Sequence, residues 1–281
     1  MTRYYALAVA TSYWKPNDNY TNKIVGALEN KLQNGDFVVV SEKAISTAKG
    51  NILDESTIEP SGAAKFLTRF WMRVVWGYPL GVLCHFGPRL LKRLREYPLE
   101  SGSRHKQVAL QQAGLMQALM FGSEGAIDGS NLAYSYVSLP LRDAEEMAQE
   151  IHNQIFHRLK RNVRVIIADT DKTYKFRNFY FTPRPKPHKG IQSLGAVTAY
   201  VIGRGLKLKK SSTPLAVSGC GLEAAEALKI TNIADRARGP GSGATVWDMA
   251  ARFQVDINAV SWEMLESITH KPIVIVRKTM Q

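Results

Sequence analysis

Val165-Ile-Ile-Ala-Asp169-Thr170-Asp171 is an apolar run that stops on two carboxylates. Begun at Val163, it alternates too little for a half-exposed strand and reads as a buried central strand, Val163 to Ala168, whose end presents Asp169. A desolvated carboxylate there needs a cation or hydrogen-bond donors to keep its charge, and Thr170 adds a neutral oxygen. Upstream, Gly122-Ser-Glu-Gly-Ala-Ile-Asp128-Gly-Ser-Asn131 makes a second acidic turn, in which Gly125, Gly129 and Ser130 leave the Asp128 carboxylate uncrowded. Brought together, the two turns could hold a hard cation beside phosphate oxygens. Each alone has a plain explanation: an Asx-turn ahead of the strand-like stretch Leu132 to Leu139, and capping by Asp and Thr. Two in one chain tilt the balance toward a metal–nucleotide enzyme.

The chain has 281 residues, 45% of them apolar, enough for one large domain or two intimately packed ones. Its formal charge of +13 leaves a positive field around some surface, so an anionic partner is expected. The basic residues are spread through the chain and form no arm, finger or aromatic-interleaved stripe, which suits nucleotides and phosphorylated small molecules at least as well as nucleic acid. Two cysteines, Cys84 and Cys220, lack any CxxC or Cys/His spacing; neither a disulfide framework nor a structural zinc is indicated, and a reducing cytoplasm is the plain reading. The start of the chain reads as a strand from Tyr4 to Ala10, without the apolar core of a signal peptide. The longest uncharged apolar run, Val74 to Phe86, is too short to span a bilayer and is interrupted by Gly77, Pro79 and Gly81.

Along the chain, Asp18 to Gln33 reads as a helix and Phe37 to Ser41 as a strand. A helical region runs from Pro60 to about Arg95, within which Lys65, Arg69 and Arg73 recur every four residues opposite Phe66, Leu67, Phe70, Trp71, Val74 and Val75. Such a basic amphipathic helix could lie on a membrane, but packing of its aromatic face on the core or a second subunit is the favoured reading. A polar loop from Glu96 to Arg104 then leads into a helix from Gln107 to Met120. Asp143 to Arg161 is the clearest helix, acidic early and basic late as the dipole requires. After a proline-rich basic loop, Phe181 to Gly190, come an expected strand Ala196 to Gly203, helices near Leu222 to Ala237, Thr245 to Phe253 and Val260 to Ile268, and a last strand Ile273 to Arg277.

Arg236-Ala-Arg238-Gly-Pro-Gly241-Ser-Gly243-Ala-Thr245 joins two cations to a glycine-rich loop entering a helix. Backbone amides there could clasp an anion with the guanidinium groups, although a plain linker capped by Thr245 explains the stretch as well. The Gly-Lys-Ser/Thr ending of a Walker A loop is absent. No HxxxH pair, GxSxG serine or Cys–His pairing suggests a metalloprotease-like or covalent mechanism.

These residues resemble a known family, the gamma-glutamyl ligases of the deazaflavin coenzyme F-420, over nearly the whole chain. The likeness rests on Gly35-Asp-Phe-Val-Val-Val-Ser41-Glu42-Lys43-Ala-Ile-Ser-Thr-Ala-Lys-Gly50, on Gly125-Ala-Ile-Asp128-Gly-Ser-Asn131, on Leu139-Pro140 and on Val165-Ile-Ile-Ala-Asp169-Thr170. The resemblance implies that Asp128, Asp169 and Thr170 bind a divalent metal, magnesium or manganese, with the two aspartates catalytic. It implies that Ser41, Glu42, Lys43 and Asn131 contact GTP as co-substrate, joined on the residue reading by Arg238, Gly241 and Gly243. A monovalent cation is a further implied cofactor. The implied chemistry adds L-glutamate to an anionic acceptor carboxylate through an acyl phosphate, in an intertwined cytoplasmic homodimer.

Departures fall where substrate identity is decided. The family's Phe-Gly-Arg after Asp169-Thr170 is replaced by Asp171-Lys172-Thr173, the Ser-Lys-Ala-Glu-Gly turn carries Thr47 and Lys49, and the Arg238 to Asp248 stretch does not align, as in a divergent, archaeal-type branch. The expected fold is α+β, with mixed sheets, flanking helices and two closely packed parts, 1–175 carrying the nucleotide and metal motifs and 176–281 an α+β part, or one continuous domain. Two rivals stand beside this: a ligase of the same fold with another acid and amine, and a non-catalytic nucleic-acid or membrane-surface binding protein.

Overall fold

The computed structural model of the chain describes residues 3–122, 124–219 and 221–279. Strand β1 (Arg3–Thr11) leads to α1 (Tyr20–Leu28), whose first turn is capped by the Asn19 side chain, then to β2 (Phe37–Ser41), α2 (Glu42–Ala48) and β3 (Ile52–Asp54). A helical segment follows: α3 (Gly62–Phe66), a π-helix (Leu67–Leu80), α4 (Gly81–Leu83), α5 (Pro88–Arg95), α6 (Leu99–Gln112) and α7 (Leu115–Ala118). Next come β4 (Tyr136–Ser138), α8 (Ala144–Leu159), β5 (Arg164–Phe176), β6 (Phe179–Thr182), β7 (Gln192–Ser193) and α9 (Ala196–Gly205). The chain closes with β8 (Lys209–Val217), α10 (Ala224–Arg238), α11 (Val246–Phe253), α12 (Trp262–Glu266) and β9 (His270–Thr279).

A mixed sheet of seven strands, in the order β1-β9-β2-β5-β6-β7 with β8 also on β5, forms the centre of this α+β fold; β3 and β4 make a separate pair. The parallel contact of β2 with β5 brings Ser41 level with Ala168, so the chain leaves β2 for α2 beside the point where β5 reaches Asp169. Helices cover both faces, which is why these strands are apolar without alternation. Val38, Val40, Val165 and Ile167 pack with Leu28 of α1 and Ile151 and Ile155 of α8, while Val39, Ile166 and Ala168 pack with Ala227 and Ile230 of α10. Each fully buried Val, Leu or Ile among them contributes about 1.5–3 kcal/mol.

Four expectations are corrected. Strand β5 does not stop at Asp169 but continues to Phe176, and between the pairs Asp169↔Thr213 and Lys172↔Ser212 it carries two residues more than β8. That bulge turns the acidic segment out of the ladder without ending the strand. Residues 196–203 form helix α9, because Val197, Tyr200 and Val201 pack on the cluster around Trp76 and Phe86, and tertiary packing overrides their preference for strand. The expected loop Glu96 to Arg104 belongs mostly to α6, where Gly102 lies so close to the Tyr97 ring that a Cβ would sit 2.4 Å from it. Of Leu132 to Leu139 only Tyr136–Ser138 is strand. The basic amphipathic segment is helical but divides its apolar side: Leu67, Met72 and Trp76 enter the core, whereas Phe66, Phe70 and Val74 stay exposed.

The turn carrying Asp128 is anchored from behind. Fully buried Lys106 on α6 donates to Met120 O and to Glu124, whose other carboxylate oxygen meets His105 Nε2 at 2.8 Å; Glu55 meets His105 Nδ1 at 2.6 Å. Desolvation opposes a charge on His105, but the two glutamates hold its pKa well above the ordinary value. Cys84 is a buried free thiol, and Cys220 lies outside the described residues. Among the described residues no helix is long and apolar enough to cross a membrane.

Candidate functional site

Where β2 ends, β5 bulges and the acidic turn crosses, the surface opens into a cleft of about 480 Å³. Ser41, Lys43, Asp128, Asn131, Asp169, Thr170, Arg238, Gly241 and Gly243 all line it. Residues separated by more than a hundred positions thus converge on one cavity. Glu42 is the exception: it turns beneath the cleft into a small cavity shared with Lys43, Asp128 and Asp169.

Asp128 is held from several directions. Lys43 Nζ donates to its Oδ2 and to Ser130 Oγ at 2.8 Å, and Ser130 N donates to Asp128 Oδ1 at 2.7 Å. Desolvation works against the charge, yet the Lys43 ammonium and these hydrogen bonds keep the Asp128 carboxyl below its ordinary value. The residue after this cradle, Asn131, locks the glycine-rich loop: its Oδ1 accepts from Ser242 N at 2.7 Å and from Ser242 Oγ at 2.5 Å, and its Nδ2 donates to Gly243 O at 3.2 Å. Both glycines are required by space. A Cβ on Gly241, which also has φ +65°, would lie 2.6 Å from Asn131 Oδ1, and one on Gly243 would lie 2.5 Å from Met249 N.

Asp169 depends on a residue that the sequence did not single out. Arg184, from the proline-rich loop after β6, is 3% exposed and reaches three chain segments. Its Nη2 donates to Glu42 Oε1, its Nη1 to Gly125 O in the acidic turn, and its Nε lies 3.3 Å from Asp169 Oδ2. The last contact is an ion pair without hydrogen-bond alignment, so buried Asp169 Oδ2 has no hydrogen-bond partner. One guanidinium between two carboxylates leaves a buried excess of negative charge. Burial, with the neighbouring Asp169 charge, accordingly pushes the Glu42 carboxyl up to about 7 despite Arg184.

That excess, the Asp169 oxygen without a hydrogen-bond partner, the Asp128 carboxylate and the exposed Thr170 at the same cleft fit a hard divalent cation. Among the described residues no group of three or more His, Cys, Asp or Glu side chains is placed to hold a metal. A divalent ion held by these side chains would take its remaining ligands from phosphate oxygens and water.

Apart from Lys172, whose segment the sequence already marked, further lining residues escaped the sequence reading. Tyr13, Trp14 and His270 form an aromatic wall, with the Tyr13 and His270 rings 4.4 Å apart. Lys172, from the divergent Asp171-Lys172-Thr173 segment, meets Asp235 at 3.0 Å, and Arg238 meets the same carboxylate at 3.1 Å. A turn-like Thr11-Ser-Tyr-Trp14 after a strand was the available signal for the first group; none pointed to Asp235, an ordinary helix-face acid.

His270 makes a pH prediction. Its Nε2 is buried without a partner, and burial, aided by the Lys23 and Arg238 charges, pushes it from 6.5 down to about 3. Between these values the unfolded chain binds a proton that the folded chain does not, so this contribution is intact above about 6.5 and is lost as pH falls toward 3. The slope is about 1.4 kcal/mol per pH unit. Glu42, with its raised value, acts with the opposite sign in part of the window, so the readout is the difference between wild type and His270→Phe. Urea unfolding at pH 7 and pH 5 should show the variant gaining about 2 kcal/mol on wild type at the lower pH; parallel pH profiles would refute it.

Two comparisons with known proteins assign the family. A protein of Methanocaldococcus jannaschii described as "Uncharacterized protein MJ1361" is 34% identical over 284 aligned positions, which cover 97% of this chain and 96% of that protein. The sequence model of the F420-0:gamma-glutamyl ligase family matches residues 8–211, a stretch that includes β2, the Asp128 turn, the Asp169 bulge and Arg184. The chain belongs to the F420-0:gamma-glutamyl ligase family.

Proposed function

We propose that the cleft binds GTP with magnesium or manganese and joins L-glutamate to an anionic, F-420-like acceptor carboxylate. The observation that carries this reading is the convergence of Asp128, Asp169, Thr170 and Lys43 on one cavity in a chain of a ligase family. Asp128, Asp169 and Thr170 would hold the divalent ion, which when bound offsets charge on the phosphoryl oxygens. Lys43, anchored by Asp128 and Ser130, brings a cation to the phosphate end of the cleft, and Ser41 adds a hydroxyl beside it. The glycine-rich loop, fixed by Asn131, and Arg238 supply a further anion-binding wall.

In this reading an acceptor carboxylate oxygen attacks the γ-phosphorus and GDP leaves, giving an acyl phosphate. The glutamate amine then attacks the acyl carbon, phosphate departs and the amine loses a proton, leaving an amide. Lys172 in the cleft wall, where the family carries Phe-Gly-Arg, favours a second reading within the same chemistry, a different acid or amine pair. A homodimer belongs to the proposal and is checked by light scattering.

Titration with GTP and ATP, with and without manganese, followed by phosphate release against a panel of carboxylates with L-glutamate, tests both. Metal-dependent GTP binding and amide formation are expected. Failure to bind either nucleotide under every metal condition would falsify the proposal, and turnover with another pair would select the second reading.

A further inference from the structure

The segment Pro60 to Arg95 contains no acidic residue and seven basic ones, Lys65, Arg69, Arg73, Arg89, Lys92, Arg93 and Arg95. Its outer surface is apolar despite that charge. Phe66 (60% exposed), Phe70, Val74 and Tyr78 recur at intervals of four along the π-helix and the end of α3, and Val82 and Leu83 on α4 continue the row. Leu206, 63% exposed at the end of α9, adds to it, since Leu83 packs on neighbouring Gly205. The Phe66 and Phe70 rings stack at 5.3 Å, and the Arg95 guanidinium covers Tyr78 at 4.3 Å. Lys65, Arg69, Arg89 and Lys92 form no ion pair among the described residues.

Solvent-facing aromatic side chains in a row are costly on a protein that meets only water, and such patches mark contact surfaces. The surrounding charge selects among partners. A second copy of this chain docked through the same row would bring the same unpaired cations face to face. An anionic lipid surface reverses that balance: aromatic and aliphatic side chains enter the boundary between headgroups and acyl chains, and Lys and Arg beside them meet the phosphates. The inner side of the same helix holds the row rigidly, because Leu67, Met72 and Trp76 are buried in the core and the Trp71 and Trp76 indoles both donate to Leu119 O.

We infer that the row Phe66–Phe70–Val74–Tyr78 and its flanking cations form a docking surface for anionic phospholipid bilayers, so that the protein works reversibly at a membrane surface without spanning it. This surface is independent of the ligase reading, since none of its residues lines the cleft.

Flotation of the full chain with large vesicles of phosphatidylglycerol and phosphatidylcholine, against phosphatidylcholine alone, tests it. Binding to the anionic vesicles at least ~10-fold stronger is expected, weakened by 0.5 M salt and lost in the double variant Phe66→Ser, Phe70→Ser. Lys65→Glu with Arg69→Glu should weaken binding as well, and an unchanged thermal midpoint in each variant establishes that the fold is intact. Equal binding to neutral vesicles, none to either, or full binding by the serine variant overturns the inference. So does a dimer in light scattering that the serine variant dissociates, which would assign the row to a second copy.

Discussion

Asp128→Asn should lose at least ~10³-fold in ligase turnover while melting within a few degrees of wild type. The contrast follows from where Asp128 sits. Its ion pair with Lys43 keeps 22% and 25% of the two side chains exposed, so solvent screens it and its worth to folding is of order 1 kcal/mol or less. Asparagine can still accept from Ser130 N and preserve the turn. What disappears is the negative charge that the proposed metal needs, together with the anchor that aims the Lys43 ammonium. Phosphate release with GTP, acceptor and glutamate reads the loss of turnover, and manganese titration by electron paramagnetic resonance reads the loss of metal affinity. Turnover within tenfold of wild type would remove Asp128 from the catalytic machinery.

Arg184→Met is expected to act through folding instead, lowering stability by about 3–5 kcal/mol, a fall of roughly 10 °C in thermal midpoint. The guanidinium is 3% exposed and is the charge shared by Glu42 and Asp169, so its loss leaves the buried Asp169 carboxylate without that counter-charge and leaves Glu42, already raised to about 7, holding its proton. Arg184→Lys should recover little, because a single ammonium cannot reach Glu42, Gly125 O and Asp169 together. Adding Asp169→Asn to Arg184→Met should restore part of the loss by removing the stranded charge. A midpoint for Arg184→Met indistinguishable from wild type would show that water, not the arginine, satisfies these carboxylates.

Elements with both faces buried or one face sharply patterned were legible. Strand β2, the first half of β5, β9, α8 and α10 follow directly from apolar runs or helical spacing, whereas the convergence of Asp128 with Asp169 needs, besides the β2–β5 contact, the bonds of Lys43 and Arg184 to the acidic turn. Strand β8 was invisible because Pro214 interrupts Ser211-Ser-Thr-Pro-Leu-Ala-Val217; in the sheet that proline faces Ala168 at a register shift, where a missing amide proton does least harm. Helix α9 was disguised by Val197, Tyr200, Val201 and Ile202, residues suited to strands, of which the first three are recruited here for packing against Trp76 and Phe86. Gly102 and Pro98 imitated a loop, although the first is needed for close approach to Tyr97 and the second precedes the first turn of α6. Arg184 had no local signature at all, since its meaning lies in partners 142 and 59 positions away.

The two surplus residues of β5 make the wall of the cleft permissive in one respect and strict in another. Thr170 and Asp171 stand between the paired positions 169 and 172, so the ladder does not fix their identities, and only the metal role proposed for Thr170 constrains the first of them. Their number cannot: removing one would flip every later side chain of β5, turning buried Tyr174 outward and the exposed Lys175 into its place against α9. Descendants of such a chain can therefore explore new reactants by exchange of residues at this spot, and lineages that shorten or lengthen it must rebuild the far half of the sheet.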